Sequence, residues 1–266
     1  MEYTATVGGL ADFLNDWAPI GLAESYDNVG LLVGRREWPV ERVLVALDIT
    51  EAVVEEAVQR GVQAVVAHHP VIFNGLKKLV GQSDAVRAVE RAVQSRIALL
   101  AAHTNLDAIA DGVSVHLAHK LGLEQVRILE PRAQQLLNLT VFVPGEALEA
   151  VREAVFAAGA GKVGNYDRCG FSTHGVGTFR PLERANPVVG SIGKEEKVDE
   201  VRLEFLVPKT RRLAVEQALF EAHPYEVVAH FWHEHQGLLE DVGFGAVGYW
   251  PEGKTWNEAV QTVKSS

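Results

Sequence analysis

The 266 residues, 47% hydrophobic and 23% charged, are enough for one large core or two ordinary ones and exclude a disordered chain. Lys+Arg 25 against Asp+Glu 35 leave a net charge of −10, which repels polyanions on average, and no basic run suited to nucleic acid is present. The lone Cys169 excludes an internal disulfide framework and no segment approaches bilayer-spanning length, so a soluble cytoplasmic protein without membrane or nucleic-acid partners is expected.

In chain order, Asp27-Asn28-Val29-Gly30 could touch ligand at a pocket mouth, but a turn between a first helix and a first strand is enough to explain it. Val43 to Asp48 then forms a strand leading into a helix from Glu51 to Arg60, with Gly61 as the residue that ends it. Gln63 to Ala67 and Ile97 to Ala102 are short apolar runs of the kind found in parallel strands covered on both faces. Between them, Ser83 to Val93 has apolar positions at helical spacing, with Ser83 placed to cap the helix. A further helix, Asp111 to Leu121, ends at Gly122. Repeated strand-helix units predict right-handed crossovers and a largely parallel sheet, with ligands gathered beyond the carboxyl ends of its strands.

The character of the chain changes near Glu130-Pro131-Arg132. Gln135 to Val143 reads as a strand, Pro144-Gly145-Glu146 opens a helix to about Ala158, and a glycine-rich passage, Gly159 to Tyr166, leads into a long irregular stretch. Val201 to Pro208 alternates as a half-buried strand, Arg211 to Ala222 reads as a helix and Tyr225 to Trp232 as a strand. With a hairpin supplied by the irregular middle, this is the β-α-β-β-α-β plan of ferredoxin-like domains.

Two polar clusters come after the central strands: Ala67-His68-His69-Pro70 and His103-Thr104-Asn105-Leu106-Asp107. Neighbouring residues on a strand face opposite ways, so two adjacent histidines do not easily chelate one ion from regular β structure. Two ions remove the difficulty, with Pro70 biasing His69 toward extended geometry and Asp107 bridging through its two oxygens. Imidazole and carboxylate together suit Zn, Fe, Mn, Co or Ni better than Ca or Mg. The alternative is that these are capping and loop residues at a polar sheet edge.

Ala23 to Gly34 (AESYDNVGLLVG), the run AHHPVIFNGLKKL from Ala67 to Leu79 and AAHTNLDA from Ala101 to Ala108 closely resemble the Nif-three-like metal-binding family, also known as GTP cyclohydrolase I type 2 homologues. From Gly159 onward, GAGKVGNY, the stretch through Gly175 and Phe179, and His223-Pro224-Tyr225-Glu226 resemble the PII-like or CutA-like domain that longer members insert between the halves of the metal-binding domain. The resemblance implies an α/β metal-binding lobe over 1–130, a ferredoxin-like insert over 131–238 and the start of the resumed lobe over 239–266. It also implies a site of two divalent ions, with His68, His69 and Asp107 as ligands, and ring-like homo-oligomers. His103 is expected to orient a ligand through its second ring nitrogen. Members add a histidine and a glutamate from a late Gly-His-x-x-x-Glu motif. No such motif occurs here before Ser266, so weakened metal occupancy, an unpaired sheet edge and an uncovered apolar face are expected.

If the site works, the implied chemistry is hydrolytic, with two ions about 3.5–4 Å apart lowering the pKa of a shared water. The family name points to attack on the purine ring of GTP or a nucleotide-like substrate, and no catalytic residue beyond the ligands is identified. The alternative is a non-catalytic metal-binding, metal-delivery or regulatory assembly protein whose insert reports on a small molecule. Other conspicuous residues take plainer readings. His230, His233 and His235 lack the spacing of a helical metal motif and read as alternating strand residues, Gly159 to Tyr166 lacks a phosphate-loop ending, and His116 and His119 read as helix-face residues.

Overall fold

The computed structural model describes residues 5–133 and 135–265, so Ser266 lies outside the described residues. Two units emerge: residues 1–130 with 241–266, and residues 131–240 between those segments.

In the first unit, α1 (Val7–Trp17) starts where the Thr6 hydroxyl accepts the Gly9 N–H at 3.1 Å. Strands β1 (Gly30–Val33), β2 (Val43–Ala46), β3 (Ala64–Ala67) and β4 (Ala98–Ala101) form a sheet of order β1-β4-β3-β2. β2, β3 and β4 are parallel, and β1 joins β4 antiparallel. The crossovers are α2 (Glu51–Gln59), capped by Thr50, and α3 (Asp84–Ser95), capped by Ser83, whose hydroxyl accepts the Val86 N–H. Gly61, at φ +62°, supplies the left-handed residue just past α2.

Alternation along β3 and β4 divides the core. Val65, Ala67 and Leu99 pack with Val54 and Ala57 of α2 and Val89 and Ala92 of α3, while Ala64, Ala98 and Leu100 pack with Val7 of α1. Both central strands are thus covered on two faces, which is why they read as continuous apolar runs. Edge strand β2 differs: Val45 is 77% exposed and Leu47, just beyond it, 62%.

Short helix α4 (Thr104–Asp107) and α5 (Val113–Lys120) come after β4. α5 begins later than the expected Asp111, because Gly112 occupies the capping position. The stretch around Glu130-Pro131-Arg132 is not a plain junction. It lies in a long strand, β5 (Glu124–Ala133), paired with β10 (Leu238–Tyr249) as a two-stranded ribbon. Gly248 allows close approach there, since a Cβ would stand 2.9 Å from the Glu124 carbonyl oxygen. α8 (Trp256–Ser265) opens with a reciprocal cap in which Thr255 N–H donates to Glu258 at 2.8 Å and Glu258 N–H to the Thr255 hydroxyl at 3.4 Å.

The second unit contains β6 (Leu136–Pro144), α6 (Leu148–Ala157), β7 (Gly170–Phe179), β8 (Glu196–Pro208), α7 (Arg212–Ala222) and β9 (His230–His235). The sheet order β7-β8-β6-β9, with every neighbouring pair antiparallel, is the ferredoxin-like arrangement. β6 and β8 are central and send Leu139, Val141, Val143, Leu203 and Phe205 against Val151 and Val155 of α6 and Val215 and Leu219 of α7. The last strand begins at His230 rather than Tyr225, and the Tyr225 N–H is taken by the buried His223 instead of a ladder partner. His223 donates from Nε2 to the Phe142 carbonyl at 2.9 Å and accepts the Tyr225 N–H on Nδ1 at 3.1 Å. Burial lowers its pKa below the ordinary 6.5, outweighing the Phe142 bond and nearby Glu200.

Leu99 is fully buried, so Leu99→Ala is expected to cost about 3 kcal/mol in denaturant unfolding; a loss below about 1 kcal/mol contradicts this core assignment. The depressed His223 pKa means that the unfolded chain binds a proton first. Its stabilising effect is complete above the unfolded value near 6.5 and is lost as pH falls through that value toward the folded one. Unfolding midpoints compared at about pH 7.5 and pH 5.5 should therefore drop at acid pH, and His223→Gln should flatten the drop. An unchanged slope in the variant rules His223 out as its source.

Candidate metal centre

Backbone pairing brings the two polar clusters together. Ala67 is in register with both Ala46 and Ala101, and the ladder continues past the strand ends, with His69 N–H on the Leu47 carbonyl at 2.9 Å and Ala102 N–H on the Ala67 carbonyl at 3.0 Å. His68, His69 and His103 therefore leave the sheet at one level. Their ring centroids lie 5.0 Å (His68 to His69), 5.0 Å (His68 to His103) and 5.6 Å (His69 to His103) apart. One ligand nitrogen from each lies within 4.8 Å of the other two.

Each ring is fixed by its Nδ1. That of His68 donates to the Ala102 carbonyl at 2.9 Å, that of His69 to Asp48 at 2.7 Å and that of His103 to Asp27 at 2.9 Å. An acceptor on Nδ1 leaves Nε2 of a neutral ring with a lone pair, which is how metal-binding histidines are oriented. Asp107, in the single turn of α4, places Oδ1 3.8 Å from His68 Nε2. It therefore flanks the triad on the His68 side.

Asp27 is the structural anchor of this group. Its side chain is fully buried, accepts the Thr104 N–H at 3.1 Å and the Thr104 hydroxyl as well as His103, and takes the Asn28 N–H at 2.8 Å. Burial pushes its pKa up, but the bonds from His103, Thr104 and Asn28 outweigh that and hold it below the ordinary carboxylate value. Asn28 in turn donates to the Ile72 carbonyl, tying the loop after Pro70 to the same turn. The Asp48–His69 pair is open, at 58% and 47% exposure. Tyr26 and Phe73, with ring centres 6.3 Å apart, form an exposed aromatic flank, Phe73 standing edge-on to His103.

Of the residues marked out by sequence, His68, His69 and His103 come together as equals and Asp107 stands beside them. Asp27 and Asp48 carry no spacing signal of their own. Asp27 sits in a stretch that reads as an ordinary turn, 76 residues before His103, and Asp48 is visible only as the polar end of a strand. The other histidines lie apart. His230 bonds the Val228 carbonyl and Glu216 in the second unit, His233 and His235 are exposed on β9, and exposed His116 pairs with Asp111 at 3.0 Å. The glycine-rich passage closes as a turn through mutual Val163–Tyr166 backbone bonds of 2.9 and 3.0 Å.

A family model described as Duf34/NIF3 (NGG1p interacting factor 3) matches residues 5–266. The GTP cyclohydrolase 1 type 2 homolog of Halalkalibacterium halodurans is 39% identical over 251 residues, covering 94% of this chain and 68% of that protein. The Bacillus subtilis protein of the same name is 38% identical over 256 residues, covering 96% and 69%. A crystal structure of a Bacillus cereus protein related to NIF3 superposes with a TM-score of 0.82 at 39% identity, covering 97% of this chain and 69% of that one. This chain belongs to the NIF3 family.

Proposed function

We propose that the chain binds a divalent transition-metal ion through His68, His69 and His103, with Asp107 as a flanking oxygen donor, and serves as a metal-dependent hydrolase of a nucleotide-like substrate. The supporting observation is the convergence of three imidazoles whose Nδ1 atoms are all tied to acceptors, which leaves three Nε2 lone pairs for a cation. The donor set fits Zn, Fe, Mn, Co or Ni. A bound ion of this kind supplies Lewis acidity and an acidified water.

The protein's own part is orientation. Asp27 fixes His103 from a buried position, the Ala102 carbonyl fixes His68, and Asp48 holds His69 at the solvent side. Tyr26 and Phe73 offer an aromatic face on which a heterocyclic substrate can stack. The relatives' name supports a guanine nucleotide as the first substrate to try. A second reading, metal delivery without turnover, draws support from the exposure of His69 and Asp48, since an open ligand exchanges readily. The family resemblance also supports a homo-oligomer.

Titration of chelator-treated full-length chain with Co²⁺, monitored by visible absorption and by elemental analysis after dialysis, is expected to give at least one bound ion. His68→Ala, His69→Ala or His103→Ala should each weaken binding more than Asp48→Asn, for which a loss of roughly tenfold is expected. Equal binding by a variant lacking all three imidazoles would sink the metal reading. Metal-dependent GTP turnover lost in His68→Ala supports the hydrolase, whereas retained metal without turnover supports delivery. Asp27→Ala leaves several donors unmet in a buried position and is expected to lower stability by about 3 kcal/mol in urea unfolding, even in metal-free protein. A loss below about 1 kcal/mol would contradict its anchoring role.

A further inference from the structure

The second unit contains a cavity of about 600 Å³, a volume that suits a small-molecule ligand. It lies between the β7–β8 hairpin and residues 225–229. Its far wall is the loop after β7, folded back so that Gly193 N–H donates to the Pro181 carbonyl at 2.8 Å and Asn186 N–H to the Glu226 carboxylate at 2.8 Å. The lining is mainly apolar, with Phe142, Val176, Phe179 and Val227 among its walls.

Its polar groups are few and of one predominant sign. Glu200, Glu226 and Arg202 line it, with the imidazole of His174 beside them. The Arg202 guanidinium is engaged by Glu204, whereas among the described residues no lysine or arginine pairs with Glu200 or Glu226. Room is made for Glu200: a Cβ on Gly177 would come 2.1 Å from its Oε2, so the carboxylate lies across the glycine. Beside it the Tyr225 hydroxyl is buried without a hydrogen-bond partner. Burial, then the adjacent Glu200 carboxylate and more remotely Glu146, raise this phenol to about 12. It therefore remains a donor at neutral pH.

We propose that this cavity binds a small organic cation, an amine on an apolar or aromatic body, with the ammonium against Glu200 and Glu226, the body against Phe142 and Phe179, and the Tyr225 hydroxyl donating to an acceptor on the ligand. Carboxylates without a lysine or arginine partner in an aromatic-walled cavity select a cation over an anion of the same shape. The buried unmatched hydroxyl is the kind of group that a ligand completes. This reading is independent of the histidine site in the first unit.

The test uses chelator-treated full-length chain and three probes of one size, phenethylamine, 2-phenylethanol and phenylacetate, with binding read by calorimetric titration and saturation-transfer NMR. Phenethylamine is expected to bind saturably and at least about tenfold more tightly than phenylacetate. Glu200→Gln should weaken it by roughly fivefold, and Val176→Trp, which fills the cavity, should abolish it, with unchanged circular dichroism in both variants. If Glu200→Gln does not fold, Val176→Trp alone decides. The proposal is overturned if phenylacetate binds as well as phenethylamine, if Val176→Trp binds normally, or if no probe binds because another copy of the chain closes the cavity.

Discussion

The site in the first unit depends on the in-register parallel ladder of β2, β3 and β4. Ala46, Ala67 and Ala101 lie side by side, so the residues next in sequence to each of them emerge at the same height. Slipping one strand by a single residue would turn its apolar set to the wrong face and separate the imidazoles together. The cost of such a slip is carried by side chains remote from the histidines. Val65 and Leu99 are fully buried against α2 and α3, and Ala64 and Leu100 are equally buried toward α1. Core packing therefore sets the register, and the register sets the ligand spacing.

Above the ladder, a graded set of acceptors fixes each ring. A backbone carbonyl holds His68, a buried carboxylate holds His103 and an exposed one holds His69. These are not equivalent constraints. The carbonyl cannot move without disturbing the sheet, and Asp27 cannot move without abandoning the Thr104 and Asn28 donors. Asp48 and His69 face solvent, where a single pair is weakly held. Two rigid rings and one adjustable ring make a site that is ordered on its inner side and accessible on its outer side.

Much of this is legible in the sequence, for identifiable reasons. Strands buried on both faces leave uninterrupted apolar runs, and the Ser83 cap works by local geometry, so β3, β4 and α3 can be read directly. The polar clusters stand out because they end those strands. The long-range partners do not. Nothing local marks Asp27 as the acceptor for a ring 76 residues away. β5 is hidden because Glu124, Arg127 and Glu130 interrupt any apolar run, its pairing with β10 replacing two-sided burial as the source of order. Ahead of β9, residues 225–229 have strand-like composition, but His223 claims the Tyr225 N–H that a ladder would otherwise use.

Histidine serves opposite ends in the two units, and the difference lies in how many ring nitrogens are occupied. His223 uses both within the protein, one donating to the Phe142 carbonyl and one accepting the Tyr225 N–H, so nothing is left for a ligand and the ring is purely structural. His230 is likewise occupied on both sides, by the Val228 carbonyl and Glu216. In the first unit each ring commits only Nδ1 to an anchoring acceptor. Histidine content alone therefore misleads, since the tract around β9 is rich in imidazoles while both nitrogens of its innermost ring face acceptors within the protein. The second nitrogen separates a candidate ligand from a structural ring, and its availability depends on acceptors supplied by the fold.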